Sequence, residues 1–136
     1  MSEGPGASWL DGVIGAEALL RTHGGVPDAS EVVPREVSLI DRDPPLLALR
    51  FDLIGFPDTP PRKWVERKCN TVQVTLYLAV PQAVRIEGAM RGERARFSLT
   101  QENGRVRLAV VGSLRVSALA GVASIARVEA YLAGNE

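Results

Sequence analysis

Phe97-Ser98-Leu99-Thr100-Gln101-Glu102-Asn103-Gly104-Arg105-Val106-Arg107-Leu108-Ala109-Val110 is the stretch that decides the fold. Asn-Gly between two alternating apolar runs is the strongest short hairpin signal, because both central residues of a type I′ turn need positive φ. A two-residue loop at Asn103-Gly104 sets Glu102 against Arg105. Leu99 then meets Leu108 and Phe97 meets Val110, so four apolar side chains share one face, while Thr100–Arg107 and Ser98–Ala109 share the other. Turn chemistry and hydrophobic pattern select the same register. A slip of one residue would turn the whole apolar set to solvent.

The same face-matching extends in both directions. Downstream, a two-residue loop at Gly112-Ser113 would oppose Val110 with Arg115. A three-residue loop, Val111-Gly112-Ser113, pairs Val110 with Leu114 and Leu108 with Val116, and is the expectation. Upstream, a three-residue turn at Pro81-Gln82-Ala83 pairs Leu78 with Ile86 and Val80 with Val84. Val72, Val74, Leu76, Leu78 and Val80 alternate with Thr71, Gln73, Thr75 and Tyr77, the longest alternation in the chain and a central strand. Val37 and Leu39, and then Leu47, Leu49, Phe51 and Leu53, predict two more half-buried strands separated by a turn at residues 41–45. Residues 124–132 fit two periods. Ala126, Val128, Ala130 and Leu132 alternate as in a strand, whereas Val122, Ile125, Ala126 and Glu129 share a helix face. Ile125, Val128 and Tyr131 favour the strand.

Two segments interrupt the pattern. Ser8-Trp9-Leu10-Asp11 has the composition of a capping box, and Trp9, Val13, Ala16 and Leu20 recur near helical spacing. Gly12 and Gly15 confine the firm helix to Ala16–Thr22, and Gly24-Gly25 ends it. Residues 24–35 read as a loop. Residues 55–64 hold Pro57, Pro60 and Pro61, which remove donors and fix φ, so no regular structure is expected there. The fold class is α+β, a predominantly antiparallel sheet of about seven or eight strands, curved or sandwich-like, with a short N-terminal helix. Its 136 residues fit one domain, 1–136, with residues 1–7 as a flexible tail.

Composition narrows the function. A single cysteine, Cys69, permits no internal disulfide and fits a reducing compartment. No apolar run approaches the roughly 18 residues of a membrane span, and Met1–Gly6 lacks the character of a signal peptide, so a cytoplasmic protein is expected. Net charge is zero, yet residues 1–60 carry ten acids against four bases and residues 61–136 carry twelve bases against six acids. In a compact fold these halves can interleave and cancel. Zero net charge argues against nonspecific nucleic-acid binding.

Catalytic machinery is hard to assemble. His23 is the only histidine and sits at a helix end, where a cation is favoured. With Cys69 it makes no zinc set, and Asp41 with Asp43 supplies two of the six to eight oxygens that calcium takes. Cys69 follows Arg67 and Lys68, which favour a thiolate, although a small residue at a strand entrance is the simpler role. No cofactor, metal or catalytic residue is expected. Fourteen of the sixteen bases are Arg. Arg85, Arg96, Arg105, Arg107, Arg115 and Arg127 fall on polar sides of neighbouring strands, where they form either a solvated face paired with Glu87, Glu93, Glu102 and Glu129 or a grip for an acidic partner.

The order Trp9-Leu10, helix, Gly24-Gly25-Val26-Pro27, Val37-Ser38-Leu39, Leu47–Leu53, Phe56-Pro57, Pro60-Pro61-Arg62-Lys63-Trp64, Asn70–Leu76, Val84–Gly88 and a last strand near Tyr131 resembles the immunity protein 50 family of bacterial polymorphic toxin systems. The resemblance spans residues 9–132. It implies a cytoplasmic protein that binds a cognate toxin domain, burying about 800 Å² per partner, with no catalysis. Aromatic and Arg side chains are the best anchors by type, which points to Trp64, Tyr77, Arg85, Arg96, Arg107 and Arg115; Trp64 serves the core equally well. For a basic toxin the acidic Asp28, Glu31, Asp41 and Asp43 become the candidates. The alternative functions are a small-ligand-binding β domain and a protein-interaction domain unrelated to toxins.

Overall fold

In the computed structural model, which describes residues 8–134, eight strands and two short helices are present: α1 (Glu17–His23), β1 (Glu31–Ile40), β2 (Leu46–Leu53), α2 (Arg62–Glu66), β3 (Thr71–Ala79), β4 (Gln82–Gly88), β5 (Ala95–Glu102), β6 (Arg105–Val111), β7 (Leu114–Ala120) and β8 (Val122–Tyr131). The hairpin at Asn103-Gly104 forms in the expected register, with Glu102 opposite Arg105, Leu99 opposite Leu108 and Phe97 opposite Val110. Both turn residues have positive φ, 53° and 77°. Residues 124–132 form a strand in their larger part, as Ile125, Val128 and Tyr131 indicated. Residues 1–7, expected as a tail, lie outside the described residues.

The strands pair antiparallel in the order β4-β7-β6-β5-β1-β2-β3-β8, one sheet that does not close. Its connections force it to fold over. β7 and β8 stand six positions apart, about 29 Å in a flat sheet. Only Gly121 lies between them in sequence, and two Cα steps reach about 7 Å. β3 and β4 are likewise six positions apart and joined through Val80-Pro81 alone. Both joins work only if the sheet curls over, with β4-β7-β6-β5 turned toward β1-β2-β3-β8 and the joined strand ends brought closer than the roughly 10 Å that separates stacked sheets. The fold line runs between β1 and β5, which share just two residue pairs, Glu31–Arg96 and Val32–Ala95. The predominantly antiparallel sheet expected from the sequence as curved or sandwich-like is therefore present as one unclosed sheet of eight strands, folded over on itself. The second layer is residues 82–120 in unbroken sequence.

The inner faces meet in one apolar cluster. Leu47, Leu49 and Phe51 of β2, Val72, Val74, Leu76 and Leu78 of β3, and Leu108 of β6 are fully buried. Phe51 and Phe97 bring the layers together with ring centroids 5.0 Å apart, and Trp9 packs edge-on to both at 6.2 and 5.5 Å. The Trp9 indole N–H donates to the Pro27 carbonyl at 2.9 Å. Leu10, Val13, Ala16 and Leu19 carry the N-terminal segment into the same cluster.

Several local expectations are corrected. The turn after β6 is wider than three residues: Val110 pairs with Val116 and Leu108 with Ala118, a shift of two from the expected partners. The ends of the strands are held elsewhere, Val111 by Arg96 of β5 and Leu114 by Gly88 of β4. No hairpin joins β3 to β4. Both sides of β3 are already taken, by β2 and by a nine-pair ladder with β8, so β4 crosses to the other layer and pairs with β7. Val80 and Ala83 make that bend with φ of 54° and 51°, a conformation that costs a branched residue such as Val on the order of 1–2 kcal/mol.

The capping-box chemistry at the N-terminus forms without a helix. The Ser8 N–H donates to Asp11 Oδ2 and the Leu10 N–H to Ser8 Oγ, both at 2.9 Å, but Gly12 and Gly15 turn the chain at φ of 73° and 80°. The helix starts only at Glu17. The expected loop 24–35 is shorter, because β1 begins at Glu31 and tolerates Pro34 beside a bulge, beyond the two residues that β5 pairs. Residues 62–64, expected as irregular, open α2 directly after Pro61.

Gly88 offers a test of the crossover. It has φ 96°, and a Cβ there would lie 2.0 Å from the Ser113 carbonyl oxygen of the turn leading into β7. Gly88→Ala is expected to destabilise the protein by about 2 kcal/mol through strain and overpacking, read by urea unfolding. No loss would mean that β4 does not lie against β7.

Candidate functional site

The sandwich turns two sheet faces outward, and the sequence candidates divide between them. On the first layer, Ser38 and Glu36 of β1, Ala48 and Arg50 of β2, Tyr77 and Thr75 of β3, and Arg127 of β8 line an open groove of about 440 Å³. Trp64 borders the neighbouring depression with Gln73, Glu129 and Tyr131. It is half-buried against the core beside Phe56, with ring centroids 6.0 Å apart. Tyr77 and Trp64 thus reach the same layer.

Near the C-terminal end of β2, on this layer, lies a carboxylate that the sequence did not single out. Asp52 is 3% exposed, the one buried charged side chain among the described residues. Its Oδ2 accepts from Arg35 Nε at 2.7 Å and from the Tyr131 hydroxyl at 2.5 Å, and its Oδ1 accepts from Gln73 Nε2 at 3.0 Å. Gln73 Oε1 in turn accepts from Arg50 Nη1 at 3.2 Å, and Arg50 donates to Glu36 at 2.6 and 3.1 Å. Arg35 is the residue in excess at the bulge between Pro34 and Glu36, and the bulge aims its guanidinium at Asp52. The hydrogen bond to Asp52 raises the Arg35 pKa further. Burial, and then the bond to Asp52, pushes the Tyr131 hydroxyl up. Arg127 pairs with Glu129 at 3.3 Å. Arg35, Arg50 and Arg127 on this face therefore each meet an acid.

The second layer differs. Arg85, Arg96, Arg107 and Arg115 all fall on its outer face. The register sets Arg85 beside Ser117, Ser117 beside Ala109, and Ala109 beside Ser98, a row of three small residues across β7, β6 and β5 that ends on Arg85 of β4. Arg85, Glu87, Val111 and Arg115 rim a depression of about 230 Å³. Arg107 donates to Glu102 at 2.6 Å, which raises the Arg107 pKa and lowers that of Glu102. Arg105 donates to Gln82 at 2.7 Å.

The four acidic candidates do not share a surface. Asp28 closes a turn by accepting from the Ser30 N–H at 2.9 Å, which holds its carboxyl below the usual range. Glu31 opens β1 and meets Arg94 at 3.5 Å. Asp41 and Asp43 lie past the far end of β1, about 30 Å away at the rise of a strand.

His23 and Cys69 stand apart from both faces. His23 ends α1 with Nδ1 at 3.1 Å from the Leu19 carbonyl and 2.9 Å from Thr22 Oγ1, and its Nε2 is buried with no partner among the described residues. Burial lowers its pKa. The unfolded chain takes up the His23 proton near pH 6.5, the folded chain only at lower pH. The stabilising contribution of neutral His23 is therefore complete above pH 6.5 and is lost as pH falls below it. Denaturation midpoints between pH 7.5 and 5.5 should fall less steeply in His23→Gln than in the parent; parallel curves would contradict the buried neutral ring. Cys69 is a free, half-buried thiol after α2. Among the described residues no group of three or more His, Cys, Asp or Glu could hold a metal ion, and no helix is long and apolar enough to cross a membrane.

The inward side chains form one apolar cluster and the polar and charged ones lie on two broad outer faces. The chain matches the family model for immunity protein 50 over residues 15–131, and it belongs to that family. No curated protein and no solved structure is found to match it.

Proposed function

We propose that the chain is the cytoplasmic immunity partner of a polymorphic toxin. It binds its cognate toxin domain, covers the active site or the route of the substrate to it, and performs no chemistry of its own. The observation that carries this reading is the match to the immunity family over nearly the whole chain. The fold supports it. Two of the concavities are open grooves on the outer faces and a third, of about 770 Å³, opens beside Trp9, Val26, Phe97 and Leu99, while the inward side chains of the two layers form one apolar cluster; broad open surfaces of this kind suit a protein partner better than an enclosed small ligand.

The contact residues fall into two groups, Trp64 with Tyr77 on the first layer and Arg85, Arg96, Arg107 and Arg115 on the second. Asp28 with Glu31, or Asp41 with Asp43, would serve a basic toxin, but only one pair at a time given their separation. Protein is the partner, with no nucleic acid, membrane or cofactor involved. Inducing the toxin domain encoded beside this chain should arrest growth, and co-expressing the chain should restore it. Arrest that persists with the chain expressed and soluble would remove this reading.

A further inference from the structure

The charge asymmetry of the sequence survives folding because the second layer is one continuous segment. Residues 82–120 hold seven Arg, no Lys and three Glu. Two of those glutamates are engaged, Glu102 by Arg107 and Glu93 by the Ser113 hydroxyl. Arg85, Arg96 and Arg115 make no ion pair among the described residues, although Glu87 stands opposite Arg115 in the ladder. Arg96 faces Val111 across β5 and β6, and Arg115, the second residue of β7, rims the same depression as Val111, so both arginines stand beside an apolar residue 40% exposed. The first layer shows the opposite: its arginines are neutralised by Asp52, Glu36 and Glu129.

We propose that the outer face of the second layer, centred on Arg85, Arg96 and Arg115, is where the toxin docks, and that the surface it receives is acidic protein. This rests on the neutralising role argued above and adds to it the face and the charge of the partner. Unpaired guanidinium groups around a small, partly apolar floor suit carboxylates on a folded surface, which Arg grips bidentately. A nucleic acid suits the face less well. The outward residues here, among them Ser98, Ala109, Ser117 and Leu119, include no aromatic ring on which a base could stack.

The test uses the toxin domain that passes the growth experiment. Its affinity is measured for the parent, for the triple variant Arg85→Glu/Arg96→Glu/Arg115→Glu, for the milder Arg85→Gln/Arg96→Gln/Arg115→Gln, and for the first-layer variant Arg127→Gln/Glu129→Gln, each with its melting curve. The expected result is a loss of about a hundredfold or more for charge reversal and a smaller loss for the Gln variant. The first-layer variant should bind as the parent does, and parent affinity should fall between 50 and 200 mM salt. Undiminished binding by the folded reversal and Gln variants would overturn the docking face and leave the neutralising role intact. If no toxin domain is neutralised or bound by the parent, both fall together. Parent binding to a 20-nucleotide single strand that reversal abolishes, with toxin binding unchanged, would assign the face to nucleic acid and overturn the proposal.

Discussion

Phe51→Ala should lower the free energy of unfolding by about 3–5 kcal/mol. Phe51 is fully buried on β2 and is the ring through which the first layer meets Phe97 of the second, with Trp9 edge-on to both. Deleting it opens a cavity between two sheets held apart by their own ladders, so little collapse can refill it. The same site links the layers to the N-terminal segment, because Trp9 is fixed by its bond to Pro27 and cannot follow. A domain of this size has about 5–15 kcal/mol in total, so the variant should unfold at markedly lower urea. Phe51→Leu, which keeps most of the volume, should lose much less. A loss below about 1 kcal/mol for Phe51→Ala would mean that the layers do not pack through this ring.

The second large effect is expected at Asp52. Removing one member of a buried, hydrogen-bonded charge pair costs about 3–5 kcal/mol when the other stays buried. Here the Arg35 side chain is 41% exposed, so solvent can take over part of its charge. The Tyr131 hydroxyl and the Gln73 amide, both part-buried, would lose their acceptor. Asp52→Ala should therefore destabilise by about 2–3 kcal/mol. Arg35→Ala should cost less than Asp52→Ala, and the double variant less than the sum of the two singles, because the pair is coupled. Strict additivity in that cycle, measured by chemical denaturation, would show that Arg35 and Asp52 do not interact in solution. Toxin affinity gives an independent readout: if the second layer is the docking face, Asp52→Ala should change stability while folded protein binds normally.

How much of this was legible follows from the range of each interaction. The Asn103-Gly104 hairpin was readable because turn chemistry and apolar pattern act within fourteen residues of each other. The turn after β6 was readable only as to face. A shift of two residues preserves every inward and outward assignment, so alternation could not distinguish Leu114 from Val116 as the partner of Val110. The β3–β4 hairpin failed for a different reason. Whether β4 pairs with β3 depends on whether β8, more than forty residues downstream, takes that side first, and no local signal reports this. The left-handed Val80 breaks the preference of its residue type to make the crossover. Likewise, the alternation of β2 placed Asp52 on the outer face correctly but gave no hint of burial. Its partners lie 17, 21 and 79 residues away in sequence, and one of them is aimed by a bulge. The family, in contrast, was legible from the spaced Trp, Gly-Pro and apolar positions, since these persist as a pattern along the chain. Spacing carried no statement of which outer face is used, because Trp64 and Tyr77 proved to sit on one layer and Arg85, Arg96, Arg107 and Arg115 on the other.

The central claim is neutralisation by occupation of the toxin and not by chemistry upon it. Purified toxin domain at fixed concentration, well above the dissociation constant, should be titrated with the purified chain while residual toxin activity is followed. Binding predicts a linear fall that reaches its floor near one chain per toxin, with activity recovered when the complex is separated under denaturing conditions and the toxin refolded. Complete and irreversible loss of activity at a tenth of that ratio would contradict the account and make the chain an enzyme acting on its toxin.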